Sequence, residues 1–263
     1  MIYLRESITN ETPVYVSREK KPIIKLFHKK DNSLYMKDFN PAEFVGEELC
    51  IERNIRSAHY FLAGRGIYNC QSFIPYADAD KMVFGVGIAS RSFYEPGYQY
   101  KSVFDYGLEQ YDKDIFDRML LQTKKEENRQ KLCDDMLQLM ALDIYMGQTD
   151  RFANNYLFEV DKKQNIRLAP IYDFQHSLNS SSLGNDALSF GDLQPFHTYE
   201  ECREFVRKYP QFGEYLESYL GNDLASTIRC AFAKRRMNVS DRAISYYKKF
   251  EEEQKAKIKR IVR

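Results

Sequence analysis

Several features that would place a chain in a special class are missing from this sequence. Its five cysteines are scattered without a CxxC pair, which argues against a zinc site and against a disulfide framework. The formal net charge is only +1, so composition gives no sign of a nucleic-acid-binding surface. No apolar run approaches the roughly 18 residues of a membrane span, and no signal-peptide core is visible at the N-terminus. We therefore expect a cytoplasmic protein with reduced thiols.

What the chain does have is enough apolar material for a substantial core. It is 263 residues long, with 43% hydrophobic and 14% aromatic residues. A chain of this length buries roughly three quarters of its unfolded surface on folding. We find no internal repeats and no low-complexity linker, so we expect one large domain or two lobes.

The first ninety residues have the pattern of a small mixed α/β unit. A helix is predicted over residues 40–64, with Asn40 as N-cap, Pro41 at the first helical position and Gly64 or Gly66 at its end. The predicted strands are residues 2–5, 12–17, 22–27, 68–77 and 81–90. We expect the second and third of these strands to form a hairpin through the polar segment between them.

After Ser92 the pattern becomes mainly helical. Helices are predicted over residues 100–122 and 126–146, and three more between Thr198 and the chain end. Between them we predict a hairpin of residues 154–160 and 166–172, and a long polar loop over residues 173–195. The sequence thus predicts an α+β fold with a small lobe, residues 1–92, and a larger helical lobe, residues 93–263.

Three polar side chains flank the predicted hairpin. Asp150 and Asn155 come just before it, and Asp173 follows it in "LAPIYDF". Because a β-hairpin returns to where it started, we expect all three to lie close together. Two carboxylates and an amide oxygen suit a Mg²⁺ ion on the phosphates of a nucleotide, with one acid left to accept a proton. Any one of them alone could instead form an ordinary turn at a strand end.

A lysine and a glutamate in the small lobe form a second candidate pair. Lys25 lies in "PIIKLF", a strand with two apolar faces, and Glu48 interrupts an otherwise apolar helical stripe. The stripe consists of Phe44, Glu48, Ile51, Ile55, Ala58 and Leu62. A strand lysine paired with a carboxylate on the next helix positions nucleotide phosphates in kinases. Alternatively, Lys25 extends to water and Glu48 is a surface acid.

These motifs resemble the core of the HipA-like serine/threonine kinases over roughly residues 13–250. The strongest likeness lies in "TDRFANNYLFEV" and "NIRLAPIYDFQHSL", which are close to a D-x-H-x-x-N pattern, a hairpin and L-x-P-x-Y-D. The resemblance implies that Asp150 is the catalytic aspartate and that Asn155 and Asp173 bind the metal. "PIIKLF" is similar to the strand carrying the lysine that contacts ATP, and "FGVGIAS" to the strand that leads into the adenine-binding hinge.

The resemblance also implies an activity and partners. We expect ATP- and Mg²⁺-dependent phosphoryl transfer to a protein serine or threonine, in a bacterial toxin or effector that could bind an antitoxin protein. Ser7 and Thr9, in "RESITNETP", are candidates for covering the phosphates. They are also candidates for self-silencing by autophosphorylation, as in this family, with Ser180, Ser181 and Ser182 as rival acceptors.

Two departures from the family pattern keep other functions open. The family histidine is replaced by Phe152, and no glycine precedes Gly46, so the phosphate loop is not glycine-rich. A nucleotide-binding pseudokinase that acts by docking partners is therefore one alternative. A kinase of a small hydroxylated metabolite is another, because its pocket chemistry would be the same.

Overall fold

The structure, a computed structural model, describes most of the chain. The described residues are 2–5, 14–17, 35–38, 41–64, 86–90, 93, 95–108, 114–148, 151, 155–174, 176–178, 196 and 198–263. For residues 2–5, 14–17, 35–38, 41, 61–64 and 86–90 the description covers the backbone only.

The first part of the chain contains an antiparallel sheet. Its strands are β1 (Ile2–Arg5), β2 (Val14–Ser17), β3 (Tyr35–Asp38), β4 (Tyr60–Gly64) and β5 (Val86–Ser90). Their order in the sheet is β1-β2-β3-β5-β4. β1 and β2 confirm two predicted strands, and β5 confirms the end of the predicted strand 81–90. β3 was not predicted, and the predicted strands 22–27 and 68–77 lie outside the described residues.

The predicted helix over residues 40–64 is right at its start and wrong at its end. Helix α1 covers Pro41–Glu52 and stops because Asn54 takes a left-handed conformation with φ 55°. The amide of Asn54 then bonds the carbonyl of Ile51, and the amide of Ile55 bonds that of Cys50, which is a Schellman ending. The following link forms a parallel bridge between Ser57 and Ile171 before the chain enters β4.

The predicted hairpin is confirmed and belongs to a second sheet. Strands β6 (Gln99–Ser102), β7 (Leu157–Val160) and β8 (Ile166–Leu168) are antiparallel in the order β6-β7-β8. The hairpin turn is built on Asp161, whose Oδ1 accepts hydrogen bonds from the amides of Lys163 and Asn165, both at 2.8 Å.

β6 corrects the prediction of a single helix over residues 100–122. The side chain of Asp105 accepts hydrogen bonds from the amide and hydroxyl of Ser102, at 2.6 and 3.0 Å. This contact starts a short 3₁₀ turn, Val103–Tyr106, which ends at Gly107 with φ 67°. A helix forms only later, at α2 (Ile115–Leu121).

The remaining described elements are helices. They are α3 (Glu126–Met146), α4 (Tyr199–Lys208), α5 (Pro210–Ser218), α6 (Leu224–Ala233) and α7 (Asp241–Val262). α3 matches its predicted bounds. The segment predicted to form three helices contains four in the described residues, because Pro210 starts α5 directly after α4.

α3 runs through the core and delivers the chain to the candidate site. Most of its residues from Leu132 to Met146 are buried, and Gly147 ends it with φ 60°. The elements β1–β5 and α1 fall within the predicted small lobe, and the others within the larger one; the boundary at residue 92 stays a prediction. Among the described residues, we find no helix with the length and apolar character needed to cross a membrane.

Candidate active site

The β7–β8 hairpin brings the ends of two motifs together. Phe158 pairs with Leu168, and the amide of Ala169 donates to the carbonyl of Leu157 at 2.8 Å, which continues the ladder toward the open end. Asn155 precedes β7 by two residues and Asp173 follows β8 by five, so both lie at this end. Both are half-buried. The hairpin therefore brings the segments that flank its strands to one end, and the convergence of Asn155 and Asp173 on one metal ion stays a prediction.

The backbone of Asp173 is fixed from several sides. It has a left-handed conformation with φ 65°, which is uncommon outside glycine but tolerated by aspartate. Its amide donates to the hydroxyl of Tyr60 at 3.1 Å. Its carbonyl accepts from Gln148 Nε2 at 2.8 Å and from Arg151 Nη1 at 3.5 Å. Gln148 and Arg151 flank Asp150 in the sequence, so the segments containing the two predicted acids are in direct contact.

Arg151 is the centre of these contacts. It is fully buried and forms an ion pair with Asp143 of α3, with Nη2 2.9 Å from Oδ1. Its Nη1 also donates to the carbonyl of Tyr172 at 2.5 Å, and its guanidinium lies 5.2 Å from the centre of the Phe174 ring. Burial raises the pKa of the Asp143 carboxyl, and the charge of Arg151 opposes that rise. Arg151 thus joins α3 to the segment containing Asp173.

Sequence reasoning missed Arg151. The sequence did contain an indication, because Arg151 directly follows the predicted catalytic acid and precedes a β-type run. An arginine in that position can bind the backbone of the site. A guanidinium has five donors in a fixed fork, and this suits it to bonding a carboxylate and backbone carbonyls together.

A carboxylate of α1 reaches the same segment, but it is Glu43. Glu43 is fully buried, and its Oε2 accepts from the amide of Phe174 at 3.0 Å. It also bonds the hydroxyl of Tyr60. One turn further along, a Cβ at Gly46 would lie 2.3 Å from Cγ of Phe174, so only glycine lets α1 approach this ring. A glycine inside a helix was the sequence signal for this close approach.

Glu48 has partners that differ from those predicted. It is buried, as expected, with 4% exposure. Its Oε1, however, pairs with Lys234 at the end of α6 and lies 3.6 Å from Sγ of Cys230. Its Oε2 has no hydrogen-bond partner among the described residues. Lys25 lies outside the described residues, so its pairing with Glu48 stays a prediction.

The helical stripe that suggested Glu48 is also corrected. Ile51 is 55% exposed, and Ala58 and Leu62 lie beyond the end of α1 at Glu52. The helix therefore presents Glu43 and Gly46 to Phe174, and Glu48 to α6.

The structure places only part of the predicted site. Asp150, Lys25, Ser7, Thr9 and Phe152 lie outside the described residues. Within the described ranges no group of three histidine, cysteine or acidic side chains could hold a metal. Asn155 and Asp173 still fit Mg²⁺, because this ion prefers oxygen ligands and commonly binds through one or two protein groups, keeping several waters.

Comparisons with known proteins agree on the fold. Neither a protein family nor a curated protein matches the sequence. Among solved structures, the proinflammatory kinase CtkA of Helicobacter pylori matches with a TM-score of 0.56 and 14% identity, over 97% of this chain and 94% of that one.

Two other solved structures give similar values. HipA of Shewanella oneidensis MR-1, in a toxin–antitoxin complex with HipB and operator DNA, matches with a TM-score of 0.55 and 12% identity, over 97% of this chain and 65% of that one. The Golgi casein kinase matches with a TM-score of 0.54 and 11% identity, over 99% of this chain and 72% of that one. The chain therefore has the predicted α+β, two-lobed protein-kinase-like fold.

Proposed function

We propose that the protein is an ATP- and Mg²⁺-dependent kinase that transfers a phosphoryl group to a serine or threonine hydroxyl of a protein. The main support is the geometry around Asp173. In a kinase-like fold, this residue follows the hairpin that Asn155 precedes, and its backbone is fixed by Tyr60, Gln148 and Arg151. Such fixed placement is what phosphoryl transfer needs, because that chemistry depends mainly on positioning and charge neutralisation.

Each residue then has a defined task. Asn155 and Asp173 would bind Mg²⁺, which when present neutralises the charge developing on the phosphates. Asp150 would orient the acceptor hydroxyl and accept its proton. This assignment is supported by Gln148 and Arg151, which lie within two residues of Asp150 and both contact the carbonyl of Asp173.

The small lobe would hold the nucleotide. Lys25 would bind the α- and β-phosphates, and Ser7 and Thr9 would cover them. We assign the carboxylate partner of Lys25 to Glu43 rather than to Glu48. Glu43 contacts the Asp173–Phe174 segment, whereas Glu48 pairs with Lys234 on the far side of α1.

The biological setting is a further proposal. The likeness to HipA supports a bacterial toxin or effector of HipA-like type, with a possible antitoxin partner. The likeness to two other proteins named as kinases supports a protein acceptor.

A labelling experiment tests the activity. The protein is incubated with γ-labelled ATP and Mg²⁺, with and without cell lysate, and label on the protein or on a lysate band is the expected result. Asp173→Asn should abolish transfer. Asp161→Asn is the matched control, since Asp161 serves the turn at the opposite end of the same hairpin. Nucleotide binding without transfer would instead favour the pseudokinase suggested by Phe152, and label on a small molecule would favour a metabolite kinase.

A further inference from the structure

Arg235 lies just past the end of α6 but contacts the small lobe. Its side chain is 9% exposed and forms an ion pair with Glu47 of α1. Its Nη2 also donates to the carbonyl of Tyr60 at 3.3 Å, and its Nη1 to the carbonyl of Ala231 at 2.8 Å. The guanidinium lies 4.1 Å from the centre of the Phe44 ring. One side chain of the larger lobe therefore fixes both α1 and the start of β4.

Tyr60 carries these contacts to the candidate active site. Its amide donates to Oε2 of Glu47 at 3.0 Å, the carboxylate that also binds Arg235. Its hydroxyl accepts from the amide of Asp173 at 3.1 Å and bonds Glu43. Tyr60 is 4% exposed, so it is enclosed by packing as well as by hydrogen bonds. A continuous chain of contacts thus runs from Arg235 through Glu47 and Tyr60 to Asp173.

We propose that Arg235 is a positioning residue for metal binding, acting through Glu47 and Tyr60 on the backbone of Asp173. This inference rests on the proposed function, in which Asp173 is a metal ligand. Arg235 touches neither substrate nor metal in this scheme. It keeps Tyr60 where its hydroxyl can accept from the amide of Asp173, and thereby keeps the left-handed backbone of Asp173 in place.

The chemistry of the contact favours arginine over other bases. The planar fork of a guanidinium can bind a carboxylate and a carbonyl together while its face lies on an aromatic ring. Without Arg235, the buried Glu47 would retain His59, whose Nδ1 lies 2.5 Å from Oε1 but whose side chain is 61% exposed. That residual pair is open to water, and it makes no contact with the carbonyl of Tyr60.

Arg53 provides a matched control. It is also an arginine that joins α1 to the C-terminal helices, through Ser218 at 2.8 Å and Asn222. It also lies over an aromatic ring, 4.5 Å from the centre of Tyr219. These contacts involve neither Tyr60 nor Asp173, so removing Arg53 loosens the junction between the lobes without touching the chain of contacts.

Hydrogen–deuterium exchange of the protein without nucleotide tests the coupling directly. Arg235→Gln and Tyr60→Phe should each speed exchange in a peptide covering residues 169–178 by about fivefold, the effect of losing one hydrogen bond. Arg53→Gln should leave that peptide at the wild-type rate. If Arg235→Gln does not fold, Arg235→Lys takes its place in both measurements, because it keeps a positive charge for Glu47 but loses the planar fork that also binds the carbonyl of Tyr60. Wild-type exchange in Tyr60→Phe, or in a folded Arg235→Gln, would overturn the inference.

Metal binding supplies the second readout. The Mg²⁺ concentration for half-maximal ATP binding should rise about fivefold in Arg235→Gln and Tyr60→Phe, with little change in affinity at saturating Mg²⁺. An unchanged Mg²⁺ requirement in these variants would overturn the positioning role and leave the kinase assignment intact. A wild-type protein that binds no Mg²⁺ with ATP would overturn the proposed function and, with it, the positioning role.

Discussion

Two buried carboxylate–arginine clusters lie near the β7–β8 hairpin, and their arginines bind different parts of the backbone. Asp143 and Arg151 form the first, and Glu159, Arg56 and Arg167 form the second. Both carboxylates have no exposure to water. In the second cluster, Glu159 of β7 accepts from Arg56 at 2.9 and 3.0 Å, from Arg167 at 2.5 Å and from the hydroxyl of Tyr100 at 3.1 Å.

The difference lies in the backbone that each cluster reaches. Arg151 donates to the carbonyls of Tyr172 and Asp173, at the end where the candidate metal ligands lie. Arg56 donates to the carbonyl of Leu168, within β8, and its side chain is 40% exposed. Burial of charge is therefore common to both and does not identify a functional site by itself. Under the proposed function, the first cluster supports the candidate active site and the second supports the sheet.

We expect the largest changes in stability and in transfer rate from replacing Arg151, and a second substitution at Asp143 separates the two quantities. Arg151→Met leaves Asp143 as a buried charge without its partner, which should cost about 3–5 kcal/mol of unfolding free energy. Adding Asp143→Leu should recover much of that stability, because a buried pair can be replaced by apolar residues. Phosphoryl transfer should stay about a hundredfold low in the double variant, because the carbonyls of Tyr172 and Asp173 have both lost Arg151, which leaves Gln148 to hold that of Asp173.

Denaturant unfolding and transfer rates measure the two quantities separately. Recovery of both in the double variant would show that the first cluster, like the second, is only structural.

A second effect distinguishes two acids of α1. Glu43→Gln should weaken ATP binding about tenfold, since it removes the charge that we assign to Lys25. Glu48→Gln should leave ATP binding unchanged and lower only stability, because its described partner is Lys234. Calorimetric titration of both variants measures this. If Glu48→Gln weakens ATP binding and Glu43→Gln does not, the pairing of Lys25 with Glu48 predicted from the sequence is the correct one.

A third effect concerns Phe174, the ring against which Arg151 lies. Gly46→Ala would gain about 1 kcal/mol in an open helix, but here the new methyl group would overlap the ring. Overpacking of this kind should cost about 1–3 kcal/mol and should reduce transfer. Gly221→Ala is the control, since a Cβ there meets nothing within 4 Å. Thermal unfolding measures the stability of both variants. If Gly46→Ala is as stable as wild type, α1 can shift away from the ring.

The smallest effect on transfer is expected at the second cluster. Glu159→Gln should lower unfolding free energy by about 1–3 kcal/mol, because a buried carboxylate with three partners is replaced by an amide. The transfer rate per folded molecule should stay at the wild-type value. A loss of transfer comparable to that of Arg151→Met would remove the distinction between the clusters.

Much of the fold was predictable because its signals are local. The bounds of α3 and the hairpin follow from periodicity and turn residues, and Asn40 with Pro41 marks the start of α1. β6 and β4 were missed because each depends on a partner strand distant in sequence, β7 and β5 respectively. Asn54, which ends α1, is an ordinary residue in a helical pattern until its left-handed conformation is known.

The site was predictable in its residue types but less so in its contacts. The spacing of Asn155 and Asp173 about a hairpin predicts a pair of oxygen ligands. It does not say which glutamate of α1 faces them, because α1 is buried on all sides over residues 42–50, so Glu43 and Glu48 are both enclosed. The contacts of Arg151 and Arg235 likewise depend on packing between distant segments.

The Mg²⁺ dependence of ATP binding tests the central claim most directly, namely that Asp173 at the end of the hairpin is a metal ligand. Calorimetry with and without Mg²⁺ would be performed on the wild type, Asp173→Asn and the control Asp161→Asn. We predict that Mg²⁺ strengthens ATP binding at least about tenfold in the wild type and in Asp161→Asn, and that this gain disappears in Asp173→Asn. An equal gain from Mg²⁺ in all three proteins would contradict the account.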